Sequence, residues 1–278
     1  MPSTPRFVFT ADTSLRVLRR SLLPMAAASL LTGCLDSEGF ETNNRYGSIT
    51  IESSGATNGR AQATAVASFF RGNELTLPTS RITADNCGTF NYTTETFTPG
   101  DLTAGNELQL QVGSASYRMA ESPQVPRLYV LSGQQSFSYG TGDSLRVSVP
   151  GSPGGFPAGQ VAVRLAEPVQ LGPVSGGAIN EDFPVSWTST GDENSSVIVS
   201  LRYTTSATTT TPNAQVLCIV RDNGGFAVPA NLLGNYYTSN PVARELNVMR
   251  WRTNTATVDD RTTIYIVSTA DTTVFALP

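Results

Sequence analysis

Apolar and polar residues alternate with a period of two along much of the chain. Leu108, Leu110 and Val112 are interleaved with Gln109 and Gln111, as in a strand with one buried and one wet face. Gly113-Ser114 then turns the chain into residues 115–119, which predicts a hairpin. Leu145, Val147 and Val149 repeat the pattern, and so do Val161, Val163 and Leu165. Residues 150–157 between them are loop chemistry, rich in Pro and Gly. Shorter candidate strands cover 48–52, 63–70, 127–131 and 136–139. Beyond Pro168, Phe183, Val185 and Trp187 alternate, then Val197, Val199, Leu201 and Tyr203. Val216, Cys218 and Val220 share one face, with Leu217 and Ile219 on the other, so this strand is expected to be central and buried on both sides. Leu246, Val248 and Arg250 oppose Glu245, Asn247, Met249 and Trp251. Asp259-Asp260 reads as the turn between strands at 253–258 and 262–268, and 272–277 closes the chain. Only 229–234 looks helical, with Pro229 at its first position and Gly234 just past its end.

Short strands separated by turn signals predict an all-β protein built from β-sandwiches. We expect two such domains, 46–167 and 170–278, with the boundary in the Gly- and Pro-rich stretch 167–178. A single continuous sandwich is the alternative.

Composition narrows the chemistry. The 278 residues contain no His, and all 18 basic side chains are Arg. Without imidazole there is no Ser-His-Asp or Cys-His catalysis and no histidine metal ligand. Without Lys there is no Schiff-base or P-loop lysine. No GxGxxG opens a helix. No cofactor is expected, no transition metal, and no labelling by serine- or cysteine-hydrolase probes. Stability is expected to lack a histidine-linked step near neutrality, with acid unfolding beginning below about pH 5.

The N-terminal region carries an address. Arg16, Arg19 and Arg20 form a basic stretch, and residues 21–32 form a short Leu- and Ala-rich run interrupted by Pro24. That run is too short to span a bilayer, which needs roughly 20 apolar residues, and the pattern is that of an export signal. Leu31-Thr32-Gly33-Cys34 follows, and it resembles the lipobox of bacterial lipoprotein precursors. The resemblance implies cleavage by signal peptidase II between Gly33 and Cys34, with acyl chains on the Cys34 thiol and the new amino terminus. Such an anchor holds a protein to a membrane permanently. It makes 1–33 a signal peptide and 34–45, with Asp36, Glu38, Asn43 and Asn44, a flexible lipid-anchored linker. Leu35 after the cysteine, where Asp is the retention signal, implies the outer membrane of the cell envelope. Residues 1–33 carry four Arg and one Asp, so the remaining 245 residues keep 14 positive and 21 negative side chains, a net charge of −7. A mildly acidic surface excludes nucleic acid as a partner.

A second resemblance lies in the C-terminal half. Cys218-Ile219-Val220-Arg221-Asp222-Asn223-Gly224-Gly225-Phe226-Ala227-Val228-Pro229-Ala230 resembles a stretch of uncharacterised bacterial lipoproteins. It implies an immunoglobulin-like or fibronectin-like sandwich and no activity. Physically, residues 222–225 read as a tight turn, with Phe226 and Val228 pointing into a core.

The remaining candidate residues each have a structural alternative. Cys87 and Cys218 are the thiols left for a disulfide in an oxidising compartment. Bridged, they close a loop of about 130 residues and pin the two halves together. Otherwise Cys218 is a small core residue and Cys87 is exposed in the turn of residues 85–88. Asp192-Glu193-Asn194, Asp222-Asn223-Gly224 and Asp259-Asp260 offer oxygen atoms to calcium, but none has EF-hand spacing, and turns favour the same residues. Glu181 and Asp182 are adjacent, so on a strand they face opposite ways and cannot serve one glycosidic bond. Trp187 and Trp251 read as core aromatics, Tyr236-Tyr237 as packing against a sheet edge, and Thr208 to Thr211 as a loop.

Three functions fit. The favoured one is a non-enzymatic binding or adhesion module, tethered to the membrane by its lipid and meeting an envelope protein or glycan. The second is a structural subunit of an envelope assembly, paired through sheet edges. The third is a carboxylate-dependent hydrolase.

Overall fold

The computed structural model describes residues 44–57, 60–72, 79–92, 99–133, 136–206 and 208–275, without the side chains of 54–57. The expected signal peptide with Gly33 and Cys34, and residues 34–43 of the expected linker, lie outside the described residues. The protein is all-β. The first half of the chain supplies β1 (Arg45–Thr57), β2 (Arg60–Arg71), β3 (Asn86–Asn91), β4 (Glu107–Val112), β5 (Ala115–Glu121), β6 (Leu128–Leu131), β7 (Phe137–Tyr139), β8 (Ser144–Val149) and β9 (Gly159–Arg164). The second half supplies β10 (Phe183–Ser186), β11 (Ser196–Tyr203), β12 (Ala214–Arg221), β13 (Gly225–Val228), β14 (Glu245–Asp259) and β15 (Thr262–Phe275).

Among the described residues, one sheet of thirteen strands runs in the order β3-β12-β11-β14-β15-β1-β2-β6-β5-β4-β8-β9, with β7 also paired to β2. β10 and β13 form a separate antiparallel ribbon. The period-two signals become one-sided strands: Leu108, Leu110, Val112, Leu145, Val147 and Val149 are buried, while Gln109 and Gln111 are exposed. β4 turns into β5 through Gly113, whose φ of 57° suits a tight hairpin. β11 is buried at all eight positions, because it is hydrogen-bonded on both sides and covered on both faces.

Two apolar cores lie along this sheet. The first gathers Ile49, Ile51, Leu108, Leu110, Leu145 and Val163 with Ile264 and Ile266. The second gathers Val197, Val199, Leu201, Val216, Leu246 and Val248 with Trp187. The boundary expected at 167–170 falls between them, yet strand pairing carries one sheet across it. β1 lies parallel to β15, with Ile49 opposite Ile266. β14 and β15 reach both cores, through Ala256 and Val258 at one end and Leu246 and Val274 at the other. The segment joining the halves is strapped to β15: the Ala166 amide donates to Ser268 Oγ at 2.9 Å, and Thr272 Oγ1 donates to the Val169 carbonyl at 2.8 Å. Tyr139 donates to the Ala166 carbonyl at 2.6 Å, and burial pushes its hydroxyl pKa up to about 12. At its far edge the sheet curls back, so that Asn254 Nδ2 donates to the Ala162 carbonyl at 2.7 Å. Gly159 permits this approach, since a Cβ there would fall 2.6 Å from Val258 Cγ2.

Three local expectations change. Cys87 lies in strand β3, not in a turn. β3 takes its structure from pairing with β12, so its own residues show little apolar alternation. Gly234 does not end the helical turn. A 3₁₀ turn at Ala230–Leu232 is followed by α1 (Gly234–Thr238), which starts at that glycine, and Gly234 lacks the positive φ of a terminating glycine. The strands expected at 246–251 and 253–258 are one strand, β14, and those expected at 262–268 and 272–277 are likewise one through Phe275, β15.

Cys87 and Cys218 are register partners on β3 and β12, with Cα atoms 4.1 Å apart and sulphur atoms bonded at 2.05 Å. The two residues are 131 apart in sequence, so the bond restricts the unfolded chain by ~4–5 kcal/mol in the chain-entropy account. Non-reducing peptide mapping should recover one linked Cys87–Cys218 peptide pair, and reduction should lower the melting temperature. Two freely alkylated thiols in the folded protein would remove this staple.

Candidate functional site

Even-numbered residues of β14 share its inward face, and their character changes along the strand. Leu246 and Val248 belong to the second core, Arg250 and Arg252 follow, and Ala256 and Val258 pack on the first core. The two arginines lie between the cores, where their side chains are only 2% and 3% exposed. Burying a guanidinium in such a place requires an opposite charge and acceptors for its donors. Arg250 has both, whereas Arg252 is paired with carboxylates but its Nε has no acceptor among the described residues.

Asp222, in the turn between β12 and β13, provides the charge for Arg250. Arg250 Nε donates to Asp222 Oδ2 at 2.8 Å, and Nη2 donates to Oδ1 at 3.3 Å. The remaining three guanidinium protons go to backbone carbonyls: Nη1 to Glu167 at 2.9 Å and to Pro168 at 3.5 Å, and Nη2 to Thr188 at 2.6 Å. The carboxylate is also satisfied. Trp187 Nε1 donates to Oδ1 at 2.9 Å, while Thr190 Oγ1 and Ser195 Oγ donate to Oδ2 at 2.8 and 3.0 Å. Beside this pair, Arg252 Nη2 donates to Glu167 Oε2 at 2.8 Å, and its Nη1 donates to Asp192 Oδ2. Arg164 of β9 closes the cluster from the half-exposed side, on Glu167 at 3.1 Å and Asp192 at 3.2 Å. Three arginines and three carboxylates thus join β9, the segment between the halves, the β10–β11 loop, the β12–β13 turn and β14.

The electrostatics follow from this packing. Burial pushes the Asp222 carboxyl up, but the hydrogen bond and charge of Arg250, with Thr190 and Trp187, outweigh it and hold the group below the usual carboxylate range. Burial likewise opposes ionisation of Asp192, and the Asn194 amide with Arg252 and Arg164 more than offsets it. All six charged groups are committed to one another, so the cluster is a clasp between cores. Within it, Asp222 and Asp192 are held in their ionised form at neutral pH.

The other candidates are placed as follows. Of the calcium candidates, Asp192 and Asp222 belong to the clasp. Asp259 Oδ1 accepts the Arg261 amide at 2.9 Å in the β14–β15 turn. Among the described residues, no three His, Cys, Asp or Glu side chains gather as metal ligands. Asp182 Oδ1 accepts the Ala230 amide at 2.8 Å, which fixes the start of the 3₁₀ turn. Trp187 is in the second core, and Trp251 is in a smaller apolar cluster with Ile198, Met249, Tyr265 and Val267 on the opposite face. Tyr236 is fully buried and meets Phe183 and Tyr203 edge-on, with ring centroids 6.1 Å apart in each case. Thr209 Oγ1 lies 2.8 Å from Thr204 Oγ1, within the loop between β11 and β12.

One row of side chains across the sheet escaped the sequence, exposed at its two ends and buried at Gln215 and Arg202 between them. Phe90, Gln215, Arg202, Glu245 and Phe275 are successive register partners across β3, β12, β11, β14 and β15, so their side chains share a face. Phe90 and Phe275 end the row, 42% and 67% exposed, and at one strand spacing per step they stand roughly 19 Å apart. Between them Arg202 lies 3.6 Å from Glu245, with its guanidinium 4.9 Å from the centre of the Tyr92 ring. Only the register reveals this row, because its members come from five separate stretches of chain. No protein-family model matches the chain, and no curated protein is similar to it in sequence.

The clasp yields two predictions. Arg250→Met should destabilise the fold by about 3–5 kcal/mol, because it leaves Asp222 buried and unpaired. Removing both charges in R250M/D222N should cost less than the sum of the single changes, as read from urea unfolding midpoints. Additive losses would show that the pair is not coupled.

The second prediction concerns pH. Asp222 and Asp192 titrate lower in the folded protein than in the unfolded chain, so the unfolded chain takes up protons first as pH falls. Their contribution is complete above the ordinary aspartate value of about 3.9 and is lost as pH drops through the folded values. Denaturation midpoints should therefore fall steeply below about pH 4, and less steeply in D222N. An equal slope in D222N would exclude Asp222 as a source.

Proposed function

We propose that the chain is a lipoprotein of the bacterial cell envelope, held by acyl chains on Cys34, whose β-structure is a non-enzymatic binding or adhesion module. The observation that carries this reading is Leu31-Thr32-Gly33-Cys34, placed directly after a basic stretch and a short apolar run. The Cys87–Cys218 bond supports export, because structural disulfides persist in oxidising compartments and are rare in the cytosol. Leu35 favours the outer membrane, and the net charge of −7 beyond the signal disfavours nucleic acid.

Two observations favour binding over hydrolysis. Glu167, Asp192 and Asp222 are all engaged by arginine, which leaves them no role as an acid–base pair. The row ending in Phe90 and Phe275 presents aromatic side chains of the kind enriched where proteins meet partners. We read the two cores as two immunoglobulin-like sandwich units that share β14 and β15, with an envelope protein or glycan as the partner.

Cys34→Ala should move the protein from the membrane fraction to the soluble fraction. Retention of the variant on membranes after a carbonate wash would overturn the lipid-anchor reading.

A further inference from the structure

We propose that β3 is a latched edge strand, released from β12 when the Cys87–Cys218 bond is reduced while both cores stay folded. The inference stands on the geometry of the sheet and is independent of the lipid anchor. β3 ends the strand order, with β12 as its one partner among the described residues. It has little apolar hold of its own: Asn86, Thr89, Phe90 and Asn91 are exposed, and Gly88 has no side chain to pack. Cys87 is the exception, packed against the second core and bonded to the fully buried Cys218. At one end Asp85 holds Arg221, accepting its backbone amide at 2.9 Å and its Nη2 at 3.2 Å. The Arg221 Nε also donates to this carboxylate, at 3.3 Å, and the arginine side chain of this pair is 56% exposed. At the other end, just past the strand, the Tyr92 amide donates to the Asn213 carbonyl at 2.7 Å, and the Tyr92 ring is buried beneath the Arg202 guanidinium. Between these ends, beyond its ladder hydrogen bonds, the strand is tied by the disulfide.

The second core does not need β3 in the way it needs the other strands. Its apolar residues come mainly from β11, β12, β14 and the β10–β13 ribbon, with Val169, Leu233 and Tyr236 beside them, and Cys87 is the one β3 residue that joins them. The chemistry is ordinary exchange with a dithiol reductant. A thiolate of the reductant attacks Cys87 Sγ, the Cys87–Cys218 bond breaks, and Cys218 leaves as a thiolate that takes up a proton. The reductant's second thiol then attacks the mixed disulfide and frees Cys87. The cysteine pair gains two electrons and two protons, and the reductant becomes a disulfide. Cys218 remains in the core as a small apolar residue, and the departing strand uncovers the backbone edge of β12.

Hydrogen exchange of the full purified chain, folded first and then compared with and without dithiothreitol, tests this. The amides of residues 86–90 that are protected in the oxidised protein should exchange on the order of tenfold faster or more after reduction, as should those of β12 that face β3. Protected amides of β11 and β14 should stay protected, speeding up by no more than the common factor set by the lower global stability, so that the loss at residues 86–90 exceeds theirs. C87S/C218S should behave as the reduced protein; if it does not accumulate, the reduced wild-type protein decides alone. Unchanged protection of residues 86–90 after reduction would overturn the proposal. So would loss of protection throughout both cores, which would make the bond a global staple.

Discussion

The buried pairing of Arg250 with Asp222 is the interaction around which the two halves are arranged. It lies where β14 passes from one apolar core to the other, and it draws in the Glu167 carbonyl, the Thr188 carbonyl, Trp187, Thr190 and Ser195. A guanidinium held this far from water can be tolerated only when its donors are used. Each donor therefore fixes a piece of loop that would otherwise have no reason to be there. Arg252, Glu167, Asp192 and Arg164 extend the arrangement to β9. The cluster is neutral overall, so it binds the elements together without leaving net charge inside.

Around this clasp the two cores are connected by long strands more than by a linker. β14 and β15 pass through both, and β1 adds to β15 from the far end of the sequence. The joining segment does not hang between two bodies, because Ala166 and Val169 are hydrogen-bonded to Ser268 and Thr272 of β15. β3 adds a second crossing, carrying residues of the first half into the sheet of the second core. The two crossings differ in kind. β14 and β15 are secured by apolar burial and the clasp, whereas β3 is secured mainly by a covalent bond.

Glu167, Asp192 and Asp222 are engaged by arginine, the aromatic residues of both cores pack on one another, and the exposed Phe90 and Phe275 stand at the ends of one row of the sheet. In the clasp, Arg164, Arg250 and Arg252 with Glu167, Asp192 and Asp222 serve cohesion.

The sequence by itself determined the all-β class and most strand positions, because period-two burial is a local property. Leu108 to Val112, Leu145 to Val149 and Val197 to Tyr203 declare their buried faces without any neighbour being known. It also determined the missing chemistry, since atoms that are absent cannot be supplied by folding. Part of the clasp was visible too: Arg250 was legible on the face of Leu246 and Val248. Its partner was not, because Asp222 looks like any turn aspartate until the β12–β13 turn is brought beside β14. The tertiary structure alone decided that β3 is a strand, that β1 lies against β15, and that Phe90 and Phe275 share a row. Each of these depends on which strand edges meet across the sheet, and such pairing is set by the closing of long loops around shared cores, which leaves no periodic mark on the residues being paired.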